Sequence, residues 1–329
     1  MTKYLKPIFL LLGALLLAWA IRHVDISAVG HLIAQTGYGF LLILTPFFLV
    51  TVAHTIAWKY AFKPQEIQDV KLWELWRIRQ IGEAFNTITP LGTVGGEPVK
   101  AQLLKERHSL SLKQGLASGV VTRTTNLMAL TIFLVGGTVL IFGSSLVSQN
   151  FKHASLAGLV VFSTMILLFL LFQLKGGLNV LASWFSKLPF GGKIQNMLSH
   201  LEILSRDMSG YYRKHPNRCG KSIFYMLAGW VVGIMELYVI LYFIGHPLSF
   251  TELWIIEALL QLIRAGSFFI PLSLGAQESG LVVIFVAMGM TANLGLAVSL
   301  IRRIKDLVWV GGGLMLGWTL AFRAAKARS

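Results

Sequence analysis

A chain of 329 residues of which 55% are hydrophobic and only 13% charged, with a mean hydropathy of +0.68, is too apolar for an ordinary soluble domain and reads as a polytopic membrane protein. The excess of 29 Lys and Arg over 14 Asp and Glu is expected in cytoplasmic loops facing anionic lipid, not in a nucleic-acid surface. A lone cysteine, Cys219, excludes an internal disulfide framework, and eight scattered histidines show no metal-ligand spacing, so neither metal nor other cofactor is expected.

In chain order, the first predicted element is a helix near 5–21. Lys3 and Lys6 precede an apolar run ending Ala18, Trp19, Ala20, which resembles a signal peptide but is read as an uncleaved first helix because the rest of the chain is itself polytopic. Further spans are predicted near 40–61, 114–142, 155–174, 222–244 and 294–321, with a polar, basic connector at 175–221. Two stretches fit no clean span. Residues 71–83 carry Lys71, Glu74, Arg77, Arg79 and Glu83 before a break containing Pro90, Gly92, Gly95 and Gly96, and the apolar run 253–270 breaks at Pro271 and Gly275. Helix breakers and charge are both costly in lipid, so each stretch is expected to be a broken re-entrant hairpin.

The two hairpins are copies. Leu72-Trp73, Gln80, Ala84, Pro90-Leu91 and Glu97 recur as Leu253-Trp254, Gln261, Ala265, Pro271-Leu272 and Glu278 at one ungapped offset of 181. Beyond them Ala117, Arg123, Asn126 and Leu127 correspond to Ala297, Arg303, Asp306 and Leu307 at 180, a one-residue slip that a loop absorbs. The reading is therefore all-α: one integral membrane domain over 1–329, about six spanning helices plus two hairpins, with repeat halves at 40–143 and 222–321. If both hairpins return to the side they entered, 21 of the 29 basic residues fall on the side of the two termini, residues 62–113 and the connector. The opposite loops near 22–39, 143–154 and 245–250 offer only Arg22 and Lys152. The positive-inside rule then makes that side cytoplasmic and the halves inverted repeats, a plan that transporters use.

Glu97 and Glu278 each follow a glycine-bearing break. Capping a short helix explains either one, and so does pairing with Arg123 and Arg303, binding a cationic head group or taking up a proton. Glu236 lies in an apolar run and needs a partner, for which Arg264 is the candidate. Arg302 and Lys305 are expected to snorkel from a helix end. Glu257 and Gln261 share a helix face and either line the hairpin or hold helices together. Trp73 and Trp254 are expected to be interfacial anchors. The Gly92, Gly95, Gly96 cluster lacks the context of a nucleotide-binding loop, and no Ser, Cys or His constellation suggests hydrolysis, so a non-enzymatic role is expected.

The segments NTITPLGTVGGEPVKA at 86–101 and AGSFFIPLSLGAQESG at 265–280 resemble the two signature segments of the lysylphosphatidylglycerol-synthase transmembrane, or flippase-like, family. The ending SLIRRIKDLV at 299–308 is similar to its hopanoid-biosynthesis-associated branch. The resemblance implies a bacterial inner-membrane protein with cytoplasmic termini that moves or handles a lipid. Only eight residues follow position 321, so no aminoacyl-transferase domain is expected there. Where the family has an acid before the first arginine and Asp three after it, this chain has Thr122 and Asn126.

The leading expectation is a lipid flippase whose head-group site is formed by Asn86, Pro90, Glu97, Arg123, Glu236, Arg264, Pro271, Glu278, Arg303 and Asp306. The alternative is a non-transporting scaffold for lipid-biosynthetic enzymes, docking them on the connector through residues such as Arg213, Lys214 and Arg218.

Overall fold

The computed structural model describes residues 2–89, 95–108, 110–145, 148–174, 210–267, 270 and 273–326. Among these the fold is entirely helical. The order is α1 (Thr2–Arg22), α2 (Ile26–Thr36), α3 (Gly39–Tyr60), the single turn α4 (Pro64–Ile67), α5 (Leu72–Ile88), α6 (Gly96–His108), α7 (Leu112–Gly143) and α8 (Gln149–Leu174). After the connector come α9 (Pro216–Phe243), α10 (Phe250–Gly266), α11 (Ala276–Ala287) and α12 (Ala292–Lys326).

Helix starts follow local chemistry. Asp25 caps α2 by accepting from the backbone of Ser27 and Ala28, while Ser111 with Gln114 and Ser249 with Glu252 form reciprocal capping boxes at α7 and α10. The stretch 22–39, expected to be a loop, is largely this short capped helix, bent 91° from α1.

Four described helices are long and apolar enough to cross a membrane, namely α3, α7, α8 and α9, and a fifth if α1 and α2 are taken as one bent span. Residues 294–321, expected as a further span, are helical throughout but carry Arg302, Arg303, Lys305 and Asp306 in the first half. Large apolar side chains remain exposed along α7, α8 and the far half of α12, including Val139, Val161, Met165, Leu168, Met315 and Trp318. In a bilayer such a surface is solvated by acyl chains.

The packing repeats as the sequence does. In each half a helix runs to a break, a short helix returns along it, and a long helix follows: α5, α6, α7 and then α10, α11, α12. Gly115 lets α7 press on Ala101 of α6, where a Cβ would come within 2.8 Å, and its counterpart Gly295 presses on Leu281 and Val282 of α11 at 2.8–2.9 Å. Each long helix also packs on the other half's hairpin, α7 on α10 and α12 on α5.

The helices that open the halves, α3 and α9, lie antiparallel. Gly39 meets Phe243, Val50 meets Gly233, His54 meets Gly229 and Tyr60 stacks on Tyr225. Glycines at 229 and 233, one turn apart, permit the close approach.

The main core joins Phe133, Leu134 and Ile141 of α7 to Ile234, Leu237 and Ile240 of α9, Ile256 and Leu260 of α10, and Phe285 of α11. A second cluster, Trp58, Phe62, Ile67, Val70, Leu75 and Leu104, closes the other end around α4. There Arg218 donates to the carbonyls of Phe62 and Lys59, at 2.9 and 2.8 Å, and the Tyr211 hydroxyl donates to the carbonyl of Tyr60. Arg218, expected on a docking surface, is thus engaged in capping α3. Residues 175–209 of the connector lie outside the described residues.

Candidate functional site: a charged cavity between two hairpins

In the first hairpin the absence of side chains at Gly82 and Gly96 sets how closely α5 and α6 approach. A Cβ on Gly82 would sit 2.3 Å from Lys100 Cγ, and one on Gly96 would sit 1.8 Å from the Gly82 carbonyl. Asn86 bridges the break, accepting from the Gly96 amide at 2.6 Å and donating to Glu83 at 3.1 Å. Glu97 Oε1 accepts from Lys100 Nζ at 2.7 Å and from Arg123 at 3.0 Å, and Lys100 also reaches Glu83 at 3.3 Å. Gly119 leaves room for the other Glu97 oxygen.

The second hairpin uses its carboxylate twice. Glu278 Oε2 accepts from the Gly275 amide at 2.7 Å, capping α11, and Oε1 accepts from Arg303 Nε at 2.7 Å. Capping and ion pairing were competing readings of the sequence, and this residue does both. Gly275 is required: its φ is +79°, and a Cβ would lie 1.8 Å from the Gly13 carbonyl, because α1 clamps the hairpin tip.

Three helices then converge on a cluster that sequence reasoning assigned differently. Lys305 Nζ donates to both oxygens of Glu236 at 3.0 and 3.1 Å and lies 3.9 Å from the centre of the Phe47 ring. Arg302 binds Glu257 at 2.7 Å and lies 3.4 Å from Glu236, while Gln261 donates to Glu257 at 2.7 Å. The four charged side chains are all at least nine-tenths buried. Each is held by an opposite charge, since a lone buried ion would cost several kcal/mol.

Arg302 and Lys305 therefore do not snorkel, because the packing of α9 and α10 on α12 brings carboxylates to them. Nor does Glu236 pair with Arg264, whose guanidinium instead donates to the Gln277 side-chain oxygen at 2.6 Å. Trp254 is half-buried. It stacks on Phe133 at 5.2 Å and donates to that residue's carbonyl at 3.1 Å, whereas Trp73 is more than half exposed.

A cavity of about 810 Å³ lies between the hairpins, a volume typical of small-molecule sites. Both halves line it. Arg79, Gln80 and Glu83 come from the first hairpin, Glu257, Gln261, Arg264, Gln277 and Glu278 from the second, His54 and Glu236 from α3 and α9, and Arg302, Arg303, Lys305 and Asp306 from α12. Leu17, Phe47, Val50, Leu274, Leu300, Leu307 and Val310 add apolar wall. The result is amphipathic, with charge and acyl-compatible surface on one chamber.

Of the predicted site residues, Glu236, Arg264, Glu278, Arg303 and Asp306 line this cavity. Glu97 and Arg123 do not. They stand behind Glu83, because Lys100 and Arg123 converge on the outer side of α5. Asn86 holds the hairpin break, and Pro90 and Pro271 lie outside the described residues. Sequence reasoning missed His54, Arg79, Glu83, Arg302 and Lys305 as site residues. A balance was there to be noticed: apart from Glu252 at a helix cap, residues 222–321 hold four acids and four bases, so that most of the buried charge finds an opposite charge.

Among known proteins, two relatives from Methanothermobacter thermautotrophicus are similar, each described as a UPF0104 membrane protein. One is 24% identical over 243 residues, covering 70% of each chain, and the other 22% identical over 272 residues, covering 78% of each. No solved structure matches. The sequence pattern described as the lysylphosphatidylglycerol synthase TM region extends over residues 8–312. With nearly the whole chain matched, and with its helical membrane architecture, this protein belongs to the lysylphosphatidylglycerol synthase TM region family.

Proposed function

We propose that this protein moves a membrane lipid across the bacterial inner membrane, binding the head group in the cavity between its two hairpins while the acyl chains stay on the apolar wall and in the bilayer. One observation carries the reading: a chamber of about 810 Å³ in a membrane protein is walled jointly by two copies of one hairpin, with ten charged side chains and an apolar face. Buried charge at such a density in a membrane interior marks a pathway for polar groups. The antiparallel pairing of α3 with α9 supports an inverted relation between the halves, and inverted halves can exchange the side on which a shared site opens. The termini are assigned to the cytoplasm from the distribution of basic residues. The role is transport without covalent chemistry.

The test is transbilayer movement of head-group-labelled phospholipids and of a native lipid extract in proteoliposomes, comparing the wild type with Glu278→Gln and Glu97→Gln. The expected result is movement by the wild type and its loss in Glu278→Gln. A well-folded wild-type protein that moves no lipid in any of these mixtures would refute the transport reading and turn attention to a scaffolding role.

A further inference from the structure

We propose that Arg79 and Arg264, one from each hairpin, are the positions on the cavity wall at which a phosphate group binds. The proposal rests on that cavity being the lipid site and names the part of the lipid it recognises. Arg79 and Arg264 differ from the other cavity cations. Lys305, Arg302 and Arg303 each meet a carboxylate within 3.0 Å. Neither Arg79 nor Arg264 has a carboxylate within ion-pair distance among the described residues. Each is held by a neutral group: Arg79 donates to His54 Nδ1 at 3.4 Å, and Arg264 to the Gln277 side-chain oxygen at 2.6 Å.

The neighbouring acids are already occupied. Glu83, one turn from Arg79, takes Lys100 and Asn86, and Glu257, two turns before Arg264, takes Arg302 and Gln261. Asp306 takes Lys305 at 2.9 Å. The cavity wall thus holds two guanidiniums whose charge no carboxylate of the protein neutralises at contact distance, while its carboxylates are each already paired with another cation.

An arginine in a membrane interior requires an anion or water. A guanidinium also matches the paired oxygens of a phosphate, making two parallel charge-assisted hydrogen bonds. The supporting wall is rich in N–H donors. Gln80 and Gln277, both buried, and the indoles of Trp230 and Trp309 each keep a side-chain nitrogen without a hydrogen-bond partner. A phosphodiester, which only accepts, suits walls of this kind, whereas a sugar hydroxyl also needs acceptors. Arg123 and Arg303, expected from the sequence among the head-group residues, are each met by the glutamate of their own half.

The experiment is a binding titration on purified full-length protein in detergent, read by intrinsic tryptophan fluorescence and calorimetry. The probes are dihexanoyl phosphatidic acid, dihexanoylglycerol with the same chains and no phosphate, and inorganic phosphate. Phosphatidic acid is expected to bind and dihexanoylglycerol to bind at least roughly 10-fold more weakly. Arg79→Gln and Arg264→Gln should each weaken phosphatidic acid by roughly 10- to 100-fold, the scale of a lost charged hydrogen bond, and Arg→Lys at either position by less. Equal binding of the two lipids overturns the proposal, as does unchanged affinity in both folded glutamine variants.

Should those variants unfold, the wild-type comparison still decides. Displacement of phosphatidic acid by inorganic phosphate at similar concentrations assigns the site to a free anion. Failure to displace assigns it to a lipid head group. Phosphate-selective binding by a protein that moves no lipid would keep the site and remove the transport reading. Lipid movement insensitive to both glutamine variants, with phosphatidic acid binding intact, would do the reverse.

Discussion

The two halves are copies of one scaffold that have placed their charge differently. Both keep the glutamate–arginine pair, Glu97 with Arg123 at 3.0 Å and Glu278 with Arg303 at 2.7 Å. Around it they diverge. Glu236, Glu257, Arg302, Lys305 and Asp306 of the second half stand where the first half has Thr55, Trp76, Thr122, Thr125 and Asn126. The threonines spend their hydroxyls locally, Thr55 on the Thr51 carbonyl, Thr122 on that of Ser118, and Thr125 with Ser222. Consequently the second pair faces the cavity and the first stands behind Glu83. The halves keep the matched glycine contacts at Gly115 and Gly295, but polar groups are free to differ, because each half needs only to neutralise what it buries.

That contrast can be broken most strongly at the charged cluster. Glu236→Ala removes the carboxylate that Lys305 and Arg302 share, leaving Lys305 to Asp306 and Arg302 to Glu257, and should destabilise the protein by about 3 kcal/mol, seen as a large drop of the thermal unfolding midpoint in detergent. Thr55→Ala at the equivalent position removes one hydroxyl bond within a helix and should cost about 1 kcal/mol or less. Similar losses from the two changes would mean that the halves bear charge alike.

Next in size come the paired glutamates. Glu278→Gln weakens a cap and an ion pair together and should cost about 2–3 kcal/mol. Glu97→Gln should cost about 1–2 kcal/mol, since Arg123 is two-fifths exposed, so that solvent screens its lost attraction, and buried Lys100 keeps Glu83 at 3.3 Å. Reversal of that order in matched unfolding measurements would sink the assignment of the buried pair to the second half.

Gly115→Ala and Gly295→Ala probe what the halves still share. Each new methyl meets backbone of the preceding helix, so each should cost about 1–3 kcal/mol and the two should agree closely. Divergent values would show that the helix contacts have drifted as far as the charges.

The smallest net effect is expected from the double change Glu257→Leu with Arg302→Met. Replacing both partners of a buried pair by apolar residues leaves stability within about 1 kcal/mol of wild type, whereas Arg302→Met alone is far more damaging. If lipid movement falls in the stable double variant, the pair serves the cavity; if movement is unchanged, the pair is structural.

Much of this was readable in one dimension. The repeat, the two breaks and the pairing candidates Glu97 with Arg123 and Glu278 with Arg303 follow from a constant offset and from the cost of helix breakers and charge in lipid. Other features had no local signal. Asp25 caps α2 where the chain turns from α1, and Trp254 rests half-buried against Gly136 and Gly137 of another helix.

The sequence by itself determined membrane residence and all-helical class, since apolar length and periodicity are properties of segments. Tertiary structure alone decided which charges neutralise each other. Lys305 and Glu236 are 69 residues apart and Arg302 and Glu257 are 45 apart, and only the packing of α9, α10 and α12 brings them into contact. It also decided that Arg79 and Arg264 keep neutral partners, because every nearby carboxylate is engaged by another cation.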